Sequence, residues 1–209
     1  MTKASISDTI SGMKIKTAEF KKSIRGSDPI IYEPKRQVVF VGRSNVGKSS
    51  LMNCLLDRID LVRSGKTPGK TQEINFFLVN NVFYFIDLPG YGFAKMSLER
   101  REQLAKMIQW FLLEDVYQRI VVLVLDMKVG PSEMDLEMLR ILSESNNEVL
   151  VVLNKVDRLN QKERHEQIKK IVAEIPEGLE IILCSAKTRE GREEILKRVV
   201  GRQSIDFSL

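Results

Sequence analysis

The chain has 209 residues, 43% hydrophobic and 29% charged, the balance of a globular protein with one sizeable core. No apolar stretch reaches the ~18 residues of a bilayer span and the N-terminus lacks the apolar core of a signal peptide, so a cytoplasmic protein with no membrane partner is expected. The net charge of +5 is unevenly spread, with eight Lys/Arg against four Asp/Glu in residues 1–36, which fits either a polyanionic partner or an ordinary solvated surface.

Residues 1–36 read as a basic N-terminal arm that Ile15, Phe20 and Ile24 anchor on the core as a short helix or strand. The apolar run Val38-Val39-Phe40-Val41 predicts a buried strand over 37–42. It leads into Gly42-Arg43-Ser44-Asn45-Val46-Gly47-Lys48-Ser49, the phosphate-loop pattern G-x-x-x-x-G-K-[ST], and then into a helix at about 48–57. Loop N–H groups and the helix N-terminus cradle phosphates in this arrangement. Lys48 then reaches the β/γ-phosphates and the Ser49 hydroxyl binds Mg²⁺.

Residues 58–73 form an irregular connection whose part 58–70 holds Arg58, Arg63, Lys66 and Lys70 against Asp60. A nucleotide hydrolase needs one Thr here to complete the Mg²⁺ site. Thr67 is restricted by Pro68, so Thr71, after Gly69-Lys70, is the candidate. Strands at 74–80 and 82–87 meet at Asn80-Asn81, a tight-turn pair that makes them antiparallel. Asp87-Leu88-Pro89-Gly90 follows, with Asp87 placed to hold Mg²⁺ through a water and the Gly90 N–H to meet a γ-phosphate. The connections 58–73 and 88–97 are expected to be mobile switches.

A helix over 98–114, a strand over 119–126 and a helix over 132–145, begun by Ser132, Glu133 and Asp135 after Pro131, come next. The strand 149–154 runs into Asn154-Lys155-Val156-Asp157. The Asp157 carboxylate can accept both N–H groups of the guanine edge, and it repels adenine, which places an acceptor there. The Asn154 side chain is expected to brace this loop and meet the base, and the Lys155 stem to cover the base's face. A helix at 160–174 carries the only histidine, His165, in a charged run that reads as an exposed face, so zinc lacks ligands. After a strand at 179–184, Cys184-Ser185-Ala186 offers backbone N–H groups to the guanine oxygen, and a helix at 189–201 closes the pattern. Cys54 and Cys184 read as reduced thiols that pack as small hydrophobes.

The alternation predicts an α/β fold: a single P-loop NTPase (Ras-like G) domain with a six-stranded, mostly parallel sheet, one antiparallel edge strand and helices on both faces.

Gly42 to Asn53, Thr67-Pro68-Gly69-Lys70-Thr71-Gln72 with Ile74-Asn75-Phe76-Phe77, and Asp87 to Ala94 (Asp-Leu-Pro-Gly-Tyr-Gly-Phe-Ala) resemble the EngB (YihA/YsxC) group of bacterial TRAFAC-class, Era-related GTP-binding proteins. The resemblance covers roughly residues 20–200 and implies an EngB-type G domain over 37–203 with a tail at 204–209. It also implies a Mg²⁺-dependent GTPase that acts in assembly of the large ribosomal subunit, meeting rRNA and ribosomal proteins, with links to cell division and septation. Carried onto this chain, Ser49 and Thr71 match the Mg²⁺ ligands. Gly42 to Ser49, Gly69, Lys70, Thr71, Gln72, Glu73, Asp87, Leu88, Pro89, Gly90, Asn154, Lys155, Val156, Asp157, Cys184, Ser185 and Ala186 match the contacts to GTP or GDP. Lys48, Thr71 and Gly90 form the implied catalytic set.

Where many GTPases carry a water-orienting Gln after D-x-x-G, this chain has Tyr91, which offers one hydrogen bond, so slow intrinsic hydrolysis is expected. Related GTPases with Asn at the position of Asn45 use it to hold K⁺ near the phosphates; the alternative is that Asn45 only stabilises the loop's turn. Two readings of the whole follow: a GTPase timer on the large subunit, or a GTP-gated binding module or division scaffold with incidental hydrolysis. No heptad pattern is present, and a monomer is expected.

Overall fold

A computed structural model describes residues 15–62, 73–92 and 97–200. Within them one sheet is built from Ala18–Ile24 (β1), Arg36–Val41 (β2), Ile74–Val79 (β3), Phe83–Asp87 (β4), Arg119–Asp126 (β5), Glu148–Asn154 (β6) and Glu180–Leu183 (β7), in the order β1-β3-β4-β2-β5-β6-β7. The helices are Lys48–Leu56 (α1), Leu98–Leu113 (α2), Glu133–Ser143 (α3), Gln161–Glu174 (α4) and Arg192–Val200 (α5). The α/β class stands, with a seventh strand added to the expected six.

That strand is β1, contributed by the basic arm. It pairs antiparallel with β3, from Ala18 opposite Val79 to Ile24 opposite Ile74. Of the expected anchors on it Ile24 is buried and Phe20 is half exposed with its ring against Phe77, so the alternation Ala18, Phe20, Ile24, broken by Lys22, announces it only weakly. Lysines on an edge strand also discourage pairing with another chain. β3 is antiparallel to both β1 and β4, so it alone runs against the other strands. The β3–β4 turn uses Asn80 (φ 50) and Asn81 (φ 59), both left-handed, as a two-residue hairpin with the right twist demands.

β2, β4 and β5 are buried along their whole length. Strands covered on both faces read as continuous apolar runs rather than alternating ones. On one face Val39, Val41, Ile86, Leu123 and Leu153 pack with Leu104, Ile108 and Phe111 of α2, Leu139 of α3 and Ile171 of α4. On the other, Phe40, Phe85, Val122 and Val152 pack with Leu51 and Leu55 of α1 and Ile195 and Val199 of α5. Cys54 and Cys184 are buried, free thiols, and His165 lies exposed on α4.

Because every strand but β3 points the same way, the carboxyl ends of β2, β4, β6 and β7 open at one end of the sheet. Open parallel sheets place ligands in the crevice outside those ends.

Candidate functional site

The loop from Gly42 to Gly47 links β2 to α1, and Lys48 is the first residue of that helix. Gly47 has φ 96, and a Cβ there would lie 2.5 Å from Asn154 Nδ2, so only glycine serves. The Lys48 side chain, about nine-tenths buried, forms an ion pair with Asp87 at the end of β4. A cation on the loop and a carboxylate at a strand end thus meet across the mouth of the sheet.

The segment Asn154 to Asp157 is braced from several sides. Asn154 is 1% exposed; its Nδ2 donates to Val46 O at 3.0 Å and its Oδ1 accepts from Ala186 N at 3.2 Å. One side chain therefore ties the phosphate loop to the segment after β7. Lys155, at left-handed φ 67, donates from Nζ to Asn45 O at 2.5 Å and to Asp126 Oδ2 at 2.6 Å. Ser185 Oγ donates to Asp157 Oδ1 at 2.7 Å. That bond is the main cause holding the Asp157 carboxyl below its ordinary value, so the group stands ionised at neutral pH. Val156 and Cys184 are buried beneath these side chains, and Val156 N donates to Cys184 O at 3.2 Å.

Leu88 and Pro89 are buried, and Gly90 lies against Ser44. Ser44 donates to Tyr91 O from its backbone N at 2.8 Å and from Oγ at 3.0 Å. The Tyr91 hydroxyl does not face the phosphate loop. It donates to Asp135 Oδ1 on α3 at 2.7 Å, and burial together with Asp135 pushes its pKa well above the usual tyrosine value. The one hydrogen bond that Tyr91 offers in place of a water-orienting Gln is spent on the buried carboxylate of α3. Glu73 sits just before β3, and its carboxylate pairs with Arg25 Nη2 at 3.0 Å. Gly69, Lys70, Thr71 and Gln72 lie outside the described residues, as do most of the basic segment 58–70 and the tail 204–209.

The donors available for a metal are oxygens, the Ser49 hydroxyl on the first turn of α1 and the Asp87 carboxylate. Hard oxygen ligands beside a phosphate cradle suit Mg²⁺, which takes one or two protein ligands and completes its shell from water and phosphates. The set fits that ion and would not suit a thiophilic one.

Sequence reasoning missed two carboxylates. Asp126 ends β5, accepts from Lys128 N at 3.0 Å and anchors Lys155; its signal was an Asp closing the buried run Ile120–Leu125. Asp135, 1% exposed, was read only as part of a helix start, which it is: Ser132 N and Oγ donate to its Oδ2 at 2.8 and 2.6 Å.

The family model described as 50S ribosome-binding GTPase matches residues 37–155, and that of the elongation factor Tu GTP binding domain matches residues 117–203. The chain is 41% identical over 186 residues to the "Probable GTP-binding protein EngB" of Fusobacterium nucleatum subsp. nucleatum, covering 88% of this chain and 95% of that protein. It is 43% identical over 190 residues to the protein of the same description from Syntrophotalea carbinolica, covering 90% and 91%. Among solved structures, one described as a probable GTP-binding protein engB aligns with a TM-score of 0.65 at 28% identity, over 79% of this chain and 97% of that one.

Proposed function

Since the chain belongs to the EngB family of GTP-binding proteins and is a GTPase, we propose that it works as a Mg²⁺-dependent timer in assembly of the large ribosomal subunit, with a link to division and septation. The observation that carries the reading is the convergence of Lys48, Asp87, Asn154, Asp157 and Ser185 at one end of the sheet. The match to a family described as 50S ribosome-binding GTPase supports the partner. Exposed Lys16, Lys21, Lys22 and Arg25 on or near the β1 edge add a smaller support, three of them already paired with Glu19, Asp28 and Glu73.

In this reading Asp157 pairs with the guanine N–H edge and Lys155 covers the base. The backbone of Gly42 to Ser49 and, beside it, Gly69 to Glu73, Asp87 to Gly90 and Cys184 to Ala186 line the nucleotide. Ser49, Thr71 and, through a water, Asp87 would hold Mg²⁺, which neutralises charge on the phosphate oxygens when bound. Lys48 leaves its partner Asp87 for the β/γ-phosphates and offsets the negative charge that develops there. The Gly90 N–H donates to the γ-phosphate. Water attacks γ-phosphorus, the bond to the β–γ bridging oxygen breaks, and GDP and phosphate leave. The Asn45 side chain is proposed to hold K⁺ near the phosphates; equal turnover in KCl and NaCl would sink that role. The protein is proposed to act as a monomer in the cytoplasm, with residues 1–36 as an arm on a G domain at 37–203.

One observation favours a second reading. With the Tyr91 hydroxyl committed to Asp135, no side chain at that position orients water. A GTP-gated binding module with incidental hydrolysis is then the rival. Depletion followed by sucrose-gradient analysis tests the first reading, which expects incomplete large subunits to accumulate. Normal profiles in filamented cells would overturn it. Turnover that purified large subunits fail to raise would favour the rival.

A further inference from the structure

We propose that Asp135 is a positioning residue for GTP hydrolysis: through Tyr91 it holds the Gly90 N–H at the height where a γ-phosphate is met, and couples that contact to α3. This rests on the reading of Gly90 as a γ-phosphate donor.

Tyr91 is fastened at both ends. Its carbonyl accepts both Ser44 donors, and its backbone forms a parallel bridge with Arg43. Its hydroxyl is held by Asp135, whose other carboxylate oxygen is occupied by Ser132 N and Oγ, with Arg43 Nε at 3.9 Å. Asp135 is buried, so its carboxylate is fixed rather than solvated. The residue after Tyr91 is equally confined: Gly92 has φ 80, and a Cβ there would lie 2.7 Å from Arg43 Cγ.

Gly90 is therefore one peptide away from a strut between the phosphate loop and the first turn of α3. Any shift of the Gly90 amide toward or away from a phosphate pulls on the strut. It must either carry Asp135 and the start of α3 with it or break a hydrogen bond to a buried carboxylate. The contact is consequently stiff, and stiffness at a transition-state donor is what makes it useful. A base contact made equally with GDP and GTP has no such dependence.

The test uses the full chain and the variants Tyr91→Phe and Asp135→Asn. Titrations with GDP and with a non-hydrolysable GTP analogue are combined with steady-state turnover and thermal melts. Tyr91→Phe removes one oxygen and should leave GDP affinity within about two-fold. Analogue affinity and kcat should each fall about ten-fold, as for loss of a hydrogen bond to a charged group. In the analogue-to-GDP ratio the double variant should be no worse than Tyr91→Phe alone, because for that readout both changes cut one link; the Ser132 and Arg43 contacts that Asp135→Asn also disturbs are read by the melts. If Asp135→Asn fails to fold, Tyr91→Phe decides by itself. An analogue-to-GDP ratio and a kcat that Tyr91→Phe leaves unchanged would overturn the proposal, as would equal losses for both nucleotides. Gly90→Ala keeps the N–H but sets a Cβ 3.1 Å from Ser44 Oγ and 3.3 Å from Ser44 N, which displaces the amide and so separates the premise: a ratio unmoved by that change sinks the Gly90 reading and the proposal together. A ratio moved by Gly90→Ala but not by Tyr91→Phe sinks the strut alone.

Discussion

Asn154→Ala removes the side chain that joins the phosphate loop to the segment after β7, and the structure sets the size of the effect. The bonds lost are Asn154 Nδ2 to Val46 O at 3.0 Å and Ala186 N to Asn154 Oδ1 at 3.2 Å. Val46 is 2% exposed and Ala186 is half-buried. Orphaning a buried polar group costs about 1–3 kcal/mol, and a group that water can reach costs less. The carbonyl and amide together therefore give an expected loss of about 2–4 kcal/mol in the unfolding free energy. Part of that loss reappears in binding, because a phosphate loop no longer tied at Val46 must be ordered by the nucleotide. GDP affinity should fall about ten-fold, and a GTP analogue should fall by the same factor, since Asn154 touches no part of the γ-phosphate sensor. Urea unfolding with and without GDP gives the first number, and fluorescent-nucleotide titration gives the second. Asn154→Asp keeps an acceptor for Ala186 but sets a carboxylate against Val46 O, so it should be at least as damaging. A stability loss under about 0.5 kcal/mol, within the range of ordinary surface changes, would refute the bracing argument. So would a loss confined to the GTP analogue.

Asp126→Ala removes the carboxylate 2.6 Å from Lys155 Nζ; guanine nucleotides should dissociate roughly three- to ten-fold faster with little change in association, as read by stopped-flow fluorescence. The Asp157 carboxyl is held below its usual 3.8, chiefly by Ser185, so its share of guanine binding is present above that value and is lost only as pH falls through the lowered one. Guanine affinity should accordingly stay flat from pH 8 to about 5, and Ser185→Ala should move its acid-side decline upward by releasing the carboxyl toward its ordinary range. Burial pushes the Cys184 thiol up to about 12 from 9.0. Above 9.0 the unfolded chain then sheds a proton that the folded one keeps, so stability should fall as pH rises, by at most about 1.4 kcal/mol per pH unit for this group. Cys184→Ala should flatten that slope in denaturation curves taken between pH 8.5 and 10.5.

What was legible in the sequence was whatever is encoded over a few neighbouring residues. The phosphate loop needs Gly42, Gly47, Lys48 and Ser49 at fixed spacing, and Asn80-Asn81 needs only its own left-handed tolerance to set the hairpin. Long apolar runs such as Ile120–Leu125 announce buried strands because both faces are covered. β1 was less visible for the opposite reason. An edge strand faces solvent along most of its length and borrows its conformation from the partner's hydrogen bonds. Asp126 and Asp135 were hidden because their partners, Lys155 and Tyr91, are 29 and 44 residues away. Such pairings are created by the packing of α3 and β5 rather than by local spacing. The direction of the Tyr91 hydroxyl, toward Asp135 on α3, belongs to the same class.

The two halves of the site differ in what they can do for switching. Asn154, Lys155 and Ser185 cross-brace the side proposed to hold the base, through bonds that in that reading serve GDP and GTP alike. Contacts common to both nucleotides cannot shift a conformational equilibrium, however tight they are. All discrimination must come from groups that meet the γ-phosphate. Driving a two-state equilibrium from 1:99 to 99:1 takes about 5.5 kcal/mol of differential affinity. A single N–H donor to a charged oxygen supplies about 1.5–3 kcal/mol. The Gly90 amide alone, even stiffened by Tyr91 and Asp135, thus falls short by roughly half on these figures. The remainder must come from other γ-phosphate-dependent groups: Lys48, proposed to meet the β/γ-phosphates, and Thr71, proposed to hold the Mg²⁺ beside them. On this arithmetic neither loop is a complete switch, and Thr71→Ala should leave a GTP-bound population divided between two conformations rather than returned wholly to the GDP form.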